Sequence, residues 1–400
     1  MLLQNKTILL GVTGSIAAYK AAALASKLTQ QGAAVHTLLT KSGAQFVTPV
    51  TFEGVTGHKC VTDTFDRNFS YSVEHVALAK QADLVLVAPA TANSIAKLAN
   101  GLADDMLTTT VLACRCPKMI APAMNTGMYE NPVTQENLDK LRHYGWTVVE
   151  PACGRLACGD TGAGKFPEPA VLVEYVLQQL AEEKDMAGLR VLVTAGPTQE
   201  ALDPVRFLTN HSTGKMGTAL AVNAARRGAQ VTLVTGPTAL EPPPFVHTIP
   251  VRSAAEMFDA VTAAAPQQDF LAFSAAVADY RPAQTATEKI KKSAGALPAI
   301  PLAPTKDILQ YVGDHKLSHQ LLCGFSMETC DLLENSRKKL QKKHADLIAA
   351  NSLKIEGAGF GADTNVLTLL TKDGAEALPK LSKYEAAGRI WSALLHLRRT

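Results

Sequence analysis

Short apolar runs alternate with stretches of helical period along the first half of the chain. KTILLGV ends on Gly11 and Gly14 and leads into SIAAYKAAALASKLTQQG, and AAVHTLLT then reads as a second strand. ADLVLVAPA, KMIAPA and WTVVE continue the series. Runs that are apolar at every position, separated by helices, predict a parallel sheet covered on both faces. The second half restarts the same grammar with GLRVLVTAGPT, the helix KMGTALAVNAARRG and the strand AQVTLVTGP. DFLAFSAAVADY, HQLLCGFSME, ADLIAANS and NVLTLLT read as later strands, and LSKYEAAGRIWSALLHLRR as a closing amphipathic helix. LASKLTQQGAAVHTLLT and LAVNAARRGAQVTLVTG share a layout that marks a common βαβ unit, not a duplication. The charged AEEKDMAG predicts a linker, so two domains are expected, 1–186 and 187–400, with the boundary near Ala187. KIKKSAGALPAIPLAPTKD is a long stretch of poor periodicity, which in a compact domain is more often functional than idle.

Composition changes this picture little. Four hundred residues exceed one ordinary core. With 47% hydrophobic and 19% charged residues the chain is expected to be globular. A net charge of +3, spread along the chain, argues against nucleic acid as partner. Seven cysteines without framework spacing are expected to be reduced thiols, and neither Cys114–Cys116 nor Cys153–Cys158 has zinc-site spacing. No apolar run reaches membrane-spanning length, and Thr13-Gly14-Ser15 with Lys20 breaks the first run. A cytoplasmic protein is expected.

The candidate chemistry sits at the strand ends. In GVTGSIAAYK, Gly11 and Gly14 let backbone amides approach a phosphate, and Ser15 opens a helix whose N-terminus favours an anion. The spacing is G-x-x-G, which suits a mononucleotide better than a dinucleotide; a plain tight turn explains it equally. Thr91, Asn93 and Ser94 follow ADLVLVAPA, either as ligand contacts or as N-caps. His75, Asn125 and Cys158 are groups able to titrate, hold an anion or deliver a proton; a surface histidine, a turn amide and an incidental thiol are their bland alternatives. In DPVRFLTNHSTGKMG, Gly214-Lys215 invites a P-loop reading that fails at Thr209 and Met216. A different phosphate cradle remains, with Ser212, Thr213, Gly214 and Lys215 at a helix start; a solvated helix cap is the alternative. Asp279 ends SAAVAD, where a carboxylate could bind a base amino group or Mg2+, and Lys289, Lys291 and Lys292 cluster in KIKK. Lys339 and Lys343 are spaced i, i+4.

Taken in order, GVTGSIAAYK, APATAN, His75, PAMN and ACGDTGAG resemble the flavin-dependent phosphopantothenoylcysteine decarboxylases over residues 5 to 180. The resemblance implies a flavodoxin-like doubly wound α/β fold, trimers, and FMN at subunit interfaces. It implies that His75 assists decarboxylation, Asn125 holds the substrate carboxylate and Cys158 protonates the enethiol. Gly14, Ser15, Thr40, Thr91, Asn93 and Ser94 are the matching FMN positions. AGPTxE, DPVRFxxNHSTGKMG, AAVADYRP, EKIKK, GFSMET and DLIAAN resemble phosphopantothenate–cysteine ligase over 189–400, in a Rossmann-like α/β domain. That implies CTP activation of 4′-phosphopantothenate as an acyl cytidylate, attack by L-cysteine, Mg2+ with the triphosphate, and dimeric ligase units. Asn210 would bind the acyl intermediate, Lys289 would assist cytidylyl transfer and Arg206 would approach substrate. Phe273, Ser274, Ala275, Asp279, Lys306, Asp307, Ile308, Leu309, Phe325, Lys339 and Lys343 would contact CTP, with Asp279 the candidate metal ligand. Thr305-Lys306-Asp307-Ile308 departs from the family's usual proline-containing turn, so the 306–309 contacts carry the base preference less firmly. The fused order matches the bifunctional bacterial arrangement and implies a homo-oligomer, a dodecamer. A flavin prenyltransferase leaves ACGDTGAGK and the second half unexplained. A regulatory flavoprotein module need not keep His75, Asn125 and Cys158 together.

Overall fold

The computed structural model describes residues 1–66, 73–291, 299–328, 331–352 and 361–399. Lys292 of the KIKK cluster lies outside them. The chain divides into two compact units, Met1–Glu182 and Glu183–Thr400. Met186 packs in the core of the second.

The first unit begins β1 (Thr7–Val12), α1 (Ala18–Gln30), β2 (Ala34–Leu39), α2 (Pro49–Thr56), α3 (Glu74–Gln81), β3 (Leu84–Ala90) and α4 (Ala92–Asn100). It continues α5 (Met106–Ala113), β4 (Lys118–Pro122), α6 (Thr126–Tyr129), α7 (Pro132–His143), β5 (Thr147–Val148), β6 (Ala152–Arg155), β7 (Thr161–Lys165) and α8 (Pro169–Leu180). The sheet order is β2-β1-β3-β4-β5, all parallel, the flavodoxin-like order. Every residue of β3 is buried, because helices cover both faces and no position faces water. Two buried clusters, one on each face, make the core. ACGRLACGDTGAGK forms the antiparallel hairpin β6–β7 beside this sheet.

On β2, the His36 ring lies tilted against that of His58, with centroids 4.3 Å apart. Burial, then the charge of His58, pushes its pKa down to about 4 from 6.5. The unfolded chain therefore binds a proton that the folded one refuses, and stability present above pH 6.5 is lost as pH falls toward 4. After screening of a half-buried group we expect a loss on the order of 1–2 kcal/mol. Denaturation midpoints at pH 7 and pH 4.5 should differ less for His36→Gln than for the wild type; equal differences would contradict this.

The second unit runs β8 (Arg190–Ala195), β9 (Gln199–Ala201), β10 (Phe207–Thr209), α9 (Lys215–Arg226), β11 (Gln230–Thr235), β12 (His247–Pro250), α10 (Ala254–Ala264) and β13 (Phe270–Phe273). Then follow β14 (Tyr280–Pro282), β15 (Leu302–Pro304), α11 (Ile308–His315), β16 (Leu321–Glu328), α12 (Leu332–Lys342), β17 (Leu347–Ser352), β18 (Thr364–Asn365), β19 (Leu367–Leu370), β20 (Ala375–Ala377), β21 (Leu381–Ser382) and α13 (Lys383–Arg399). The sheet order is β12-β11-β8-β13-β16-β17-β19-β20. It is parallel through β17, and β19 and β20 are antiparallel additions. Counted within the unit, the parallel part is the 3-2-1-4-5-6 order of a Rossmann sheet, with its switch point between β8 and β13. One expected element is shorter. The strand read through DFLAFSAAVADY stops at Phe273, and Ser274–Asp279 turns away across the strand ends. Ala276 N–H reaches the Gly196 carbonyl at 2.9 Å and Ala278 N–H the Thr198 hydroxyl at 3.0 Å, so this loop borrows its partners from the chain beyond β8.

Candidate functional site

A cavity of about 670 Å³ opens at the carboxyl ends of the first sheet. Gly14, Ser15 and Thr91 line one side, and Asn125 and Cys158 another. Ser15 is buried, and its hydroxyl donates to the Ala123 carbonyl at 3.2 Å. Gly14 is required here, because a Cβ would stand 2.5 Å from that of Ser42. Thr40 acts from behind: its hydroxyl accepts from Gly43 N–H at 3.1 Å and fixes the turn carrying Ser42. Thr91 caps α4, its hydroxyl accepting from Ser94 N–H at 3.3 Å, while Asn93 is exposed and Ser94 is buried in the cap. Neither Asn93, Ser94 nor Thr40 lines the cavity; Thr91 is the N-cap of α4, and Ser94 supplies the N–H that it accepts. His75 is half-buried in the first turn of α3, also away from the cavity.

The two motifs of Asn125 and Cys158 meet through glycine. Met124 N–H donates to the Gly164 carbonyl at 3.0 Å, and a Cβ on Gly164 would lie 2.3 Å from the Met124 oxygen. A Cβ on Gly162 would lie 2.7 Å from the Thr126 hydroxyl. Only a glycine-rich strand lies this flat against the turn. The Asn125 amide oxygen accepts from Gly127 N–H at 2.8 Å, which orients its nitrogen. That nitrogen donates to Asp160 Oδ2 at 2.8 Å and to Cys158 Sγ at 3.3 Å. Tyr19, Lys20, Met124, Met128, Arg155, Lys165 and Phe166 complete the walls and were not legible in spacing. Apolar and aromatic walls with hydroxyls and amides at a helix start fit a flat ring carrying a phosphate.

A second cavity, about 620 Å³, lies at the switch point of the larger sheet. It gathers Phe273, Ser274, Ala275, Asp279, Lys306, Asp307, Ile308, Leu309, Phe325, Lys339 and Lys343. Lys343 pairs with Asp307, and Lys339 Nζ donates to the Phe325 carbonyl at 2.8 Å. Burial pushes Asp307 up, but Lys343, the Gln310 N–H and Lys339 together outweigh it and hold the carboxyl below its usual range. Lys306 lies 4.2 Å above the Phe258 ring. Ser212, Thr213, Gly214 and Lys215 line the cavity too, with Gly214 in the left-handed N-cap position of α9. The failed P-loop is thus still a lining helix start.

Asn351, Asn365 and Lys383 also line this cavity, and the sequence reading missed them. Lys383 donates to the Ala362 carbonyl at 2.5 Å, and Lys215 to Asp363 at 2.7 Å. Burial and then the charge of Lys215 lower the Lys383 pKa. Its segment reads only as an amphipathic helix, so no spacing signal marks it.

Three expected ligase residues stand outside the cavity lining. Asn210 donates to the Ala276 carbonyl at 3.0 Å and steadies the loop after β13. Arg206 forms a fork on buried Asp203 and reaches the Ile290 carbonyl at 2.9 Å. Lys289 is exposed beside that tie. Among the described residues no cluster of three His, Cys, Asp or Glu could hold a metal, and no helix is long and apolar enough to cross a membrane.

The flavoprotein family profile matches residues 2–181, and that of the DNA/pantothenate metabolism flavoprotein C-terminal domain matches residues 186–397. The coenzyme A biosynthesis bifunctional protein CoaBC of Bacillus subtilis is 47% identical over 393 residues, 97% of this chain and 96% of its own. That of Escherichia coli K12 is 42% identical over 392 residues, covering 98% and 96%. The chain belongs to this bifunctional family. Among solved structures, the C-terminal domain of a CoaBC protein is 42% identical over 54% of this chain and 98% of its own, at a TM-score of 0.46. The FMN-dependent cysteine decarboxylase SpaF is 37% identical, covering 44% of this chain and 99% of its own at a TM-score of 0.38.

Proposed function

We propose that the chain runs two consecutive steps of coenzyme A synthesis, from its C-terminal to its N-terminal half, in the cytoplasm. Residues 187–400 join 4′-phosphopantothenate to L-cysteine at the expense of CTP. Residues 1–186 decarboxylate the product to 4′-phosphopantetheine with FMN. The observation that carries this reading is the meeting of the expected nucleotide positions at one switch-point cavity of the second unit, while in the first unit Asn125 and Cys158 share another.

In the ligase half a carboxylate is a poor electrophile, and acyl cytidylate formation supplies a good leaving group. Ser212 to Lys215 and Lys383 face the phosphates, while Lys339, Lys343 and Asp307 fix the base end. Asp279 is the carboxylate on offer to Mg2+, which takes most of its ligands from phosphates and water. Asn210 acts on the acyl intermediate and Lys289 on the departing pyrophosphate, the lysine standing beside the tie of Ile290 to Arg206 and Asp203. Arg206, held on Asp203, approaches substrate from the same tie.

In the decarboxylase half FMN, when bound, supplies oxidation of the substrate's thiol-bearing carbon and its later reduction. Gly14, Ser15 and Thr91 line its place directly, with Thr40, Asn93 and Ser94 behind. Asn125 holds the substrate carboxylate, and Cys158 returns a proton after CO2 leaves. His75, away from the cavity in its own chain, serves a neighbouring copy. Exposed Ile16 and Tyr19 on the cavity rim, 59% and 62% accessible, support a neighbour there. We assign trimeric decarboxylase units and dimeric ligase units in a dodecamer.

The test supplies phosphopantothenate, cysteine, Mg2+ and either CTP or ATP, and follows pyrophosphate and CO2. CTP-dependent pyrophosphate followed by CO2 is expected; ATP serving equally would remove the CTP assignment. Asn210→Asp should lower ligation by about 100-fold or more while sparing decarboxylation. Cys158→Ala should still release CO2 but stop at the enethiol, and full turnover by that variant would end its proton-donor role.

A further inference from the structure

Cys114 and Cys116 line neither of the two cavities and take no part in either reaction above. They flank Arg115 in the connection from α5 to β4, at the amino end of that strand. The cavity of the first unit lies at the other end, where Ala123, Met124 and Asn125 follow β4. Cys114 has extended backbone, and in an extended segment positions i and i+2 face the same way. Arg115 accordingly stands exposed, while Cys114 is buried and Cys116 half-buried.

The two thiols meet. Cys114 is hydrogen-bonded to the Cys116 sulfur, and its Sγ also points at the Thr110 carbonyl in the last turn of α5, at 3.2 Å. A thiol has one hydrogen, so this one is divided between a sulfur and an oxygen. The bond from Cys114 is the largest influence on the Cys116 thiol and holds it below its ordinary range. Burial and Asp83 oppose that bond, and Lys118 supports it. The lysine is fixed in place, because its Nζ donates to the Cys116 carbonyl at 3.3 Å. Cys60 and Cys323 show the contrast: burial pushes both up, Cys60 to about 12. The thiolate is the form that oxidants meet, and a second thiol within reach can resolve the product.

We propose that Cys116 and Cys114 form a reversible oxidation site for peroxides, with Cys116 the attacking sulfur and Cys114 the resolving thiol. The Cys116 thiolate attacks one oxygen of hydrogen peroxide. An S–O bond forms, the O–O bond breaks, and the departing hydroxide takes the proton that Cys116 released and leaves as water. Cys114 then gives up its proton and attacks the Cys116 sulfur. An S–S bond forms, the S–O bond breaks, and the second hydroxide leaves with that proton as water. The two thiols lose two electrons and the peroxide gains them. The bridge withdraws the Cys114 hydrogen from the Thr110 carbonyl, so oxidation is felt first at the end of α5. A bridge between residues two apart closes a tight ring, which an added dithiol opens by exchange.

The experiment uses the full chain with FMN bound. Hydrogen peroxide is added in slight excess, the remaining thiols are blocked with N-ethylmaleimide, and the chain is cut with trypsin. Cleavage after Lys97, Arg115 and Lys118 leaves segments 98–115 and 116–118 joined only by the proposed bridge. One mass that splits on reduction with dithiothreitol therefore reports it. The exposed thiols Cys153 and Cys158 fall in other segments, so their oxidation is read apart. The joined mass is expected in the wild type before any oxidation of Cys60 or Cys323, and its rate of formation should rise from pH 6 to pH 8. Cys114→Ala should leave Cys116 as a sulfenic acid, trapped by dimedone, with no joined mass. Lys118→Gln should form the bridge about three- to tenfold more slowly at pH 7, as less of the thiol is ionised, and match the wild type at high pH. A wild type without the joined segments overturns the proposal. So does a bridge that forms no faster than Cys323 is oxidised, or one whose formation is indifferent to pH.

Discussion

Gly164→Ala is expected to lower decarboxylation by about 100-fold or more while leaving ligation intact. The new Cβ would stand 2.3 Å from the Met124 carbonyl oxygen and 3.5 Å from the Asn125 carbonyl carbon. Both neighbours are backbone, so no rotamer change relieves the clash. The residue also sits at φ +127, where side chains are strained by roughly 1–3 kcal/mol. β7 must move off the turn, breaking the Met124 to Gly164 hydrogen bond. Asn125 and Cys158 then part by an ångström or more, and catalytic groups tolerate little of that. The parallel sheet and its two buried faces do not contain Gly164, so the fold is expected to survive. CO2 release and pyrophosphate release from one preparation give the answer. CO2 release within a few-fold of wild type would show that the glycine contact does not set the site.

Trp391→Ala should be the most damaging single truncation for the second unit. The side chain is fully buried on α13, its indole N–H donates to the Leu220 carbonyl at 3.0 Å, and its ring lies 6.4 Å from Phe270 in a stacked arrangement. It therefore ties the closing helix to α9 and to the central strand β13 at once. Removing it leaves a cavity that those elements cannot all fill, at a cost of about 3–5 kcal/mol. In a unit of this size that corresponds to a thermal midpoint about 10 °C lower. Calorimetry is expected to show the ligase-unit transition moved and the flavin-unit transition in place. Trp391→Phe should recover most of the loss, since it restores packing and forgoes only the hydrogen bond. Retention of the midpoint in Trp391→Ala would mean that α13 is dispensable to the core.

The sheets were readable because a strand buried on both faces has to be apolar at each position, as β3 is. Helix starts were readable for the same local reason: glycine and hydroxyl residues at strand ends have few other uses. The DFLAFSAAVADY run misled because apolar residues also line a cavity, and a loop that lends its backbone to one looks like a continued strand. Lys383 was invisible, since its partners Ala362 and the neighbouring Lys215 come from other parts of the chain and set no spacing. Asp160 sat inside a recognised motif, yet nothing in ACGDTGAG says that its carboxylate shares a donor with Cys158.

By itself, then, the sequence determined two parallel α/β sheets, the strand ends that carry chemistry and, through motif order, the family. Each of these follows from local periodicity or from residues adjacent in the chain. Tertiary structure alone decided which of those residues share a cavity. It joined the Asn125 turn to the Cys158 hairpin through flat glycine contacts, brought Lys383 to the switch-point cavity, and left His75 and Lys289 outside the two cavities. Such juxtapositions depend on the packing of distant elements, and a one-dimensional pattern holds no record of that.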